Sequence, residues 1–212
     1  MIASEIGIRG RLSVDNVHEL LAEGNEIGSH GLTHRSLAEL GPSQLRSEVE
    51  RSRQILTDFD VRSFAYPYGH YDEKIATEVA RYYDSARAYS RVPVPNVAEQ
   101  VDKYALQAFS IEGRFESRID PRMPDFIMRR EGIMESKDWY ILILHGRASA
   151  RIPTRPRDLT IEQMRGYMNY LRATLKSNRV QFLRNLEAFC EHLAQEKITV
   201  TTVSDGVARL SP

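Results

Sequence analysis

A chain of 212 residues with 42% hydrophobic and 27% charged side chains has the size and make-up of one globular domain with a substantial core. Its 29 Lys plus Arg balance 29 Asp plus Glu, which excludes the basic footprint of a nucleic-acid binder. No apolar run approaches the roughly 18 residues of a membrane span, and the first residues lack the basic and apolar regions of an export signal, so the chain reads as cytoplasmic. A single cysteine, Cys190, excludes an internal disulfide.

Ser13 reads as an N-cap and Gly24 as the stop of a helix whose face is Val14, Val17, Leu20 and Leu21. Residues 26–29 predict a short strand. Gly41-Pro42 opens a second helix, proline being tolerated in the first turn, with Leu45, Val49 and Leu56 on its face and Ile55 alongside. Residues 61–66 predict a strand closed by Pro67-Tyr68-Gly69, and Asp72 starts a helix carrying Ile75, Val79 and Tyr82. Strands follow at 85–91 and 104–111, separated by a loop in which Pro93 and Pro95 forbid a central strand. Residues 114–124 read as irregular and 124–135 as a helix.

The most apolar run, 139–144, predicts a strand buried on both faces. The basic, proline-bearing stretch 147–157 predicts a loop. Thr160 caps a helix to Lys176, and a further helix carries Phe182, Leu186, Phe189 and Leu193, with Cys190 as a small core residue. Residues 198–203 predict a last strand, and Ser204 caps a short final turn. Strands alternating with helices from end to end argue for an α/β fold with a largely parallel sheet. The chain reads as a single domain over residues 1–212, with 147–178 as a candidate insertion.

Function in parallel α/β folds collects at the C-terminal ends of strands. Three strands here end in distinctive chemistry: the first at His30 and His34, the second at Tyr66-Pro67-Tyr68-Gly69, the buried one at His145. Imidazole is the commonest protein ligand for zinc-like ions, and two imidazoles four residues apart can face one ion. The competing reading is two polar loop histidines, a turn, and a satisfied core histidine. Their joint occurrence at three strand ends favours a site.

These residues carry a resemblance. Gly24-Asn25-Glu26-Ile27-Gly28-Ser29-His30-Gly31-Leu32-Thr33-His34 resembles the GHEIGSHTxxH metal-binding motif of the polysaccharide deacetylase family, the NodB-type or carbohydrate esterase family four domain. Phe64-Ala65-Tyr66-Pro67-Tyr68-Gly69 resembles its third motif, and Ile143-Leu144-His145 its LxH motif. The resemblance runs from about residue 5 to about residue 207, weakly over 90–135 and 147–178. It implies a distorted (β/α) barrel holding a divalent metal, usually zinc, with His30 and His34 as ligands. It implies His145 as the general acid, the backbone N–H of Tyr68 as an oxyanion donor, and Ile143 in the pocket for the acetyl methyl. The implied reaction removes acetyl groups from N- or O-acetylated carbohydrate.

The family opens with a strand ending in an Asp-Asp-Gly motif that supplies a general base and a metal ligand. This sequence has no Asp-Asp pair, and Ala65 stands where many relatives carry an arginine that orients the base. The barrel is therefore expected to be N-terminally incomplete by one or two strand–helix units of about 30 residues each. An open edge favours self-association. The missing carboxylate is accounted for by an upstream segment, by a degenerate binding-only paralogue, or by a substitute such as Asp72 or Asp205. Both of those also read as first-turn or cap residues of helices.

Two other functions fit the sequence. One is a non-catalytic carbohydrate-binding or scaffolding module using Tyr66, Tyr68, Tyr71 and Trp139. The other is a hydrolase of small or cyclic amides, shaped by loop 91–103 and by Arg147, Arg151, Arg155 and Arg157.

Overall fold

The computed structural model describes residues 1–8, 11–98, 100–110, 132, 138–143 and 178–210. The chain divides into two compact units. One comprises residues 1–109, 138–141 and 201–212, the other 110–137 and 142–200. The helices expected at 124–135 and 160–176, the loop 147–157 and most of the candidate insertion lie outside the described residues.

The first unit begins with segment 1–4 running beside the histidine stretch, where the His30 N–H donates to Met1 O at 2.7 Å and Ala3 N–H to Gly31 O at 3.0 Å. Helix α1 (Val14–Ala22) starts with a reciprocal cap. Ser13 Oγ accepts the Asn16 N–H at 3.1 Å, and Asn16 Oδ1 accepts the Ser13 N–H at 3.2 Å. Helix α2 (Pro42–Ile55) buries Leu45, Val49 and Ser52, and Leu56 continues that face. Ile55 lies off it and is 42% exposed. Helix α3 (Glu73–Val79) is capped by Asp72, whose Oδ1 accepts the Ile75 N–H at 2.8 Å.

Parallel pairing follows chain order. Ser29 bridges Phe64, with Ser29 N–H to Ser63 O at 2.9 Å and Ala65 N–H to Ser29 O at 2.8 Å. Strand β1 (Ser63–Ala65) pairs in parallel with β2 (Ser85–Arg87), in the register Ser63–Ser85, Phe64–Ala86, Ala65–Arg87. Arg87 then bridges Leu106, and Ser90 bridges Phe109, again in parallel. Each segment therefore lies against the next one in sequence, with α2 and α3 as the crossovers that parallel neighbours require. The strands expected at 26–29, 85–91 and 104–111 are realised as short pairings rather than long ladders. β3 (Ala108–Ser110) and β4 (Ile141–Ile143) form a second two-stranded sheet.

Alternation along the strands separates two faces. Phe64 and Ala86 are buried in one core with Val49, Ile75, Val79 and Tyr83, and Ser29 is fully buried as well. Burying each such large apolar side chain contributes about 1.5–3 kcal/mol. Ala65 and Arg87 share the opposite face. Gly28 permits the close approach of its neighbour, since a Cβ there would sit 2.7 Å from Ser63 Oγ.

Three expectations are corrected. Residues 198–203 are not a strand: Val200 is 76% exposed, and Val203 already opens helix α5 (Val203–Leu210; α4 is Asn178–Gln195). The β-branched run has no paired neighbour among the described residues. Thr202 Oγ1 instead caps α5 by accepting the Asp205 N–H at 3.1 Å. Ser204 lies within the helix, giving its N–H and Oγ–H to the Glu26 carboxylate at 2.8 and 2.9 Å. Cys190 on α4 is exposed whereas Phe189 is buried. One residue past Phe189 is about 100° further round the helix, off the apolar face. No described helix is long and apolar enough to cross a membrane.

Candidate functional site

His30 follows the bridging residue Ser29 and faces away from it. Its Nδ1 lies 2.7 Å from Ala65 O. A carbonyl only accepts, so Nδ1 carries the proton and Nε2 presents a lone pair. That lone pair meets His34 Nε2 at 3.1 Å. Two imidazole nitrogens this close need a proton or a cation between them. Nitrogens at about 2.0–2.1 Å from one tetrahedral ion are about 3.3 Å apart, so the pair fits two corners of such a site.

Burial pulls the His30 pKa down to about 4, helped by His34 and Arg87 and opposed by the bond to Ala65. His30 is therefore neutral at neutral pH, the state a metal ligand needs.

The local backbone turns His34 back onto His30. His34 has φ 61, and Gly31 before it has φ 82. Buried hydroxyls fix the base of this loop. Ser29 Oγ accepts the Gly31 N–H at 3.3 Å and donates to Ser52 Oγ at 3.3 Å, and Tyr83 OH lies 2.7 Å from Ser52 Oγ. Glu48, 5% exposed on α2, receives both the N–H and the Oγ–H of Thr33 on one carboxyl oxygen, at 3.0 and 2.6 Å.

The turn after β1 brings Tyr68 to the same place. Its ring centroid is 4.8 Å from that of His34 and the side chain is 59% exposed. Tyr68 has φ 60 and Gly69 φ 73, two left-handed residues in succession. A Cβ at Gly69 would lie 2.4 Å from Tyr89 Cβ and 2.8 Å from Tyr89 N. Gly69→Ala is thus expected to destabilise the fold by more than about 2 kcal/mol, from backbone strain plus overpacking. A lowered urea midpoint would register this, and an unchanged midpoint would show that the turn can open.

The expected residues are distributed as follows. His30, His34 and Tyr68 are brought together. Ile143 belongs to the second unit and is buried at the end of β4. His145 lies outside the described residues. Asp72 is occupied as the cap of α3, and Asp205 sits in the first turn of α5. Tyr66 and Trp139 are packing residues. Tyr66 is 1% exposed and donates to Tyr104 O at 2.9 Å, and Trp139 covers Gly206 while its carbonyl accepts the Asn96 N–H at 2.8 Å. No cluster of three or more His, Cys, Asp or Glu exists among the described residues.

Two residues escaped sequence reading. One is Glu48, whose role depends on a partner fifteen residues back. The other is Arg87, half-buried directly across from Ala65, whose guanidinium makes no hydrogen bond or ion pair among the described residues. Only the strand register reveals it.

A parallel β/α wall with a histidine pair at its strand ends defines an α/β protein with its site in the usual place for that class. Residues 4–84 match the family model described as polysaccharide deacetylase. Over 96 residues the chain is 38% identical to a gellan lyase from a Bacillus species, covering 43% of this chain and 4% of that protein. A solved polysaccharide deacetylase from Bacillus cereus is 26% identical, over 51% of this chain and 34% of its own, with a TM-score of 0.45. The Xyl-CE4 domain of a multidomain xylanase from the hindgut metagenome of Trinervitermes trinervoides shares the fold. It is 16% identical over 96% of this chain and 74% of its own, with a TM-score of 0.51. The chain thus spans only a small part of the gellan lyase and about a third of the Bacillus cereus protein.

Proposed function

We propose that this chain carries the metal site of a deacetylase acting on N- or O-acetylated carbohydrate, built on a NodB-type barrel. The observation that carries the reading is the 3.1 Å separation of His30 Nε2 and His34 Nε2, with the His30 tautomer set by Ala65 O. Those two nitrogens would hold the ion, and zinc is the one their chemistry would suit best. When bound, such an ion would polarise an acyl carbonyl and acidify a water, whose proton would pass to solvent, since no carboxylate among the described residues joins the pair.

The protein's own groups then have defined tasks. Ala65 O orients His30 and keeps its Nδ1 protonated. The Tyr68 N–H donates to the oxygen that gains charge as the acyl carbon turns tetrahedral. By the family resemblance, Ile143 is assigned to the acetyl methyl pocket and His145 to protonating the departing amine or alkoxide.

Loading the protein with zinc or cobalt and measuring acetate from N-acetylated chito-oligosaccharide and from acetylated xylan tests this. Acetate release that chelation abolishes and His30→Ala removes is expected. Metal bound at the histidine pair with no acetate from either glycan would overturn the deacetylase reading.

A second reading rests on the exposure of Tyr68 (59%) and Tyr71 (37%), the latter stacked on Tyr66 at 4.9 Å. These rings can stack on sugar faces in a non-catalytic module. Glycan retention by the metal-loaded protein without acetate release favours it.

A further inference from the structure

We infer that Glu48 is a positioning residue for the histidine pair: it fixes His34, through Thr33, at the distance from His30 at which both can hold one ion. This rests on the metal-site reading above and adds a residue to it. Glu48 lies on α2, whereas both histidines lie on the loop after Ser29, so the anchor is external to the loop it holds. Its carboxyl is 5% exposed and makes no ion pair among the described residues. Burying a carboxyl without a cation is unfavourable unless its hydrogen bonds are worth keeping.

The two bonds it receives, from Thr33 N at 3.0 Å and Thr33 Oγ1 at 2.6 Å, hold the Leu32–Thr33 peptide and the Thr33 side chain, one residue before His34. His34 is itself left-handed at φ 61, a conformation that a non-glycine residue keeps only when its surroundings hold it. Gly31 and Leu32 are the only residues between His30 and Thr33. The loop is thus pinned at Ser29 by buried hydroxyls and at Thr33 by Glu48, with one histidine beside each pin. Thr33 is exposed, so its bond to a buried carboxyl serves the loop's geometry more than the core.

Cobalt titration of the metal-free protein, followed by its visible absorption and by competition with a chromophoric chelator, tests the inference. The proteins compared are wild type, Glu48→Gln, Glu48→Ala and Thr33→Val, with His30→Ala as the ligand control. Glu48→Ala is expected to bind cobalt about 10–100-fold more weakly and with an altered spectrum, the usual scale for losing an outer partner. Glu48→Gln keeps an accepting oxygen and should stay within about threefold of wild type. Thr33→Val loses only the hydroxyl of an exposed residue, and should fall between the two while melting as wild type does. It therefore serves if Glu48→Ala fails to fold. Wild-type affinity and spectrum in both Glu48→Ala and Thr33→Val would overturn the positioning role alone. Wild type binding no better than His30→Ala would overturn the metal reading, and the positioning role with it.

Discussion

Replacing His30 with alanine is expected to weaken zinc or cobalt binding by more than about 100-fold, beyond the range typical of losing an outer partner. His30 contributes more than one of two nitrogens. It is the ring whose tautomer is set, by the 2.7 Å bond from Nδ1 to Ala65 O, and burial keeps it unprotonated at neutral pH. Without it, His34 is left as a single exposed-side ligand on a strained loop. Competition against a chromophoric chelator at pH 7.5 gives the affinity directly, and a circular dichroism melt reports whether the fold survives. A change below about threefold would mean that His30 does not touch the ion.

The second large effect is on stability against pH in the metal-free protein. The ordinary histidine value of about 6.5 applies to the unfolded chain, whereas His30 in the folded protein is held down to about 4 by burial. Below pH 6.5 the unfolded state takes up the proton and the folded state does not. Stability is therefore full above about pH 6.5, falls as the pH drops, and levels off near pH 4. The loss over that window is at most about 3 kcal/mol, less where water screens the ring. Urea unfolding at pH 7.5, 5.5 and 4.5 measures it. His30→Asn, which can still donate to Ala65 O but does not titrate, should show a visibly smaller slope. Equal slopes in the two proteins would place the pH dependence elsewhere.

Local chemistry made much of this molecule readable from its sequence. The Ser13 and Asp72 caps, the Gly41-Pro42 helix start and the face Leu45, Val49, Leu56 all follow from groups within a few residues of one another. The histidine pair is partly of this kind: four residues and a glycine set both rings on one short loop, while Glu48 holds it from α2. What depends on distant neighbours was not readable. Residues 198–203 have strand-like side chains, but a strand exists only where another chain segment accepts its hydrogen bonds, and Thr202 caps a helix instead. Whether Tyr66 faces sugar or core was decided by Tyr104 O, 38 residues away. Glu48 and Arg87 look like ordinary surface charges in sequence. The fold gives the one Thr33 as its partner and sets the other across from Ala65.

The central claim is that His30 and His34 share one metal ion. X-ray absorption at the zinc edge of the zinc-loaded protein tests it most directly. Two imidazole nitrogens at about 2.0–2.1 Å, with histidine multiple-scattering features that fall to one imidazole in His34→Ala, are the predicted result. A first shell of oxygens without imidazole scattering, unchanged in His34→Ala, would contradict it.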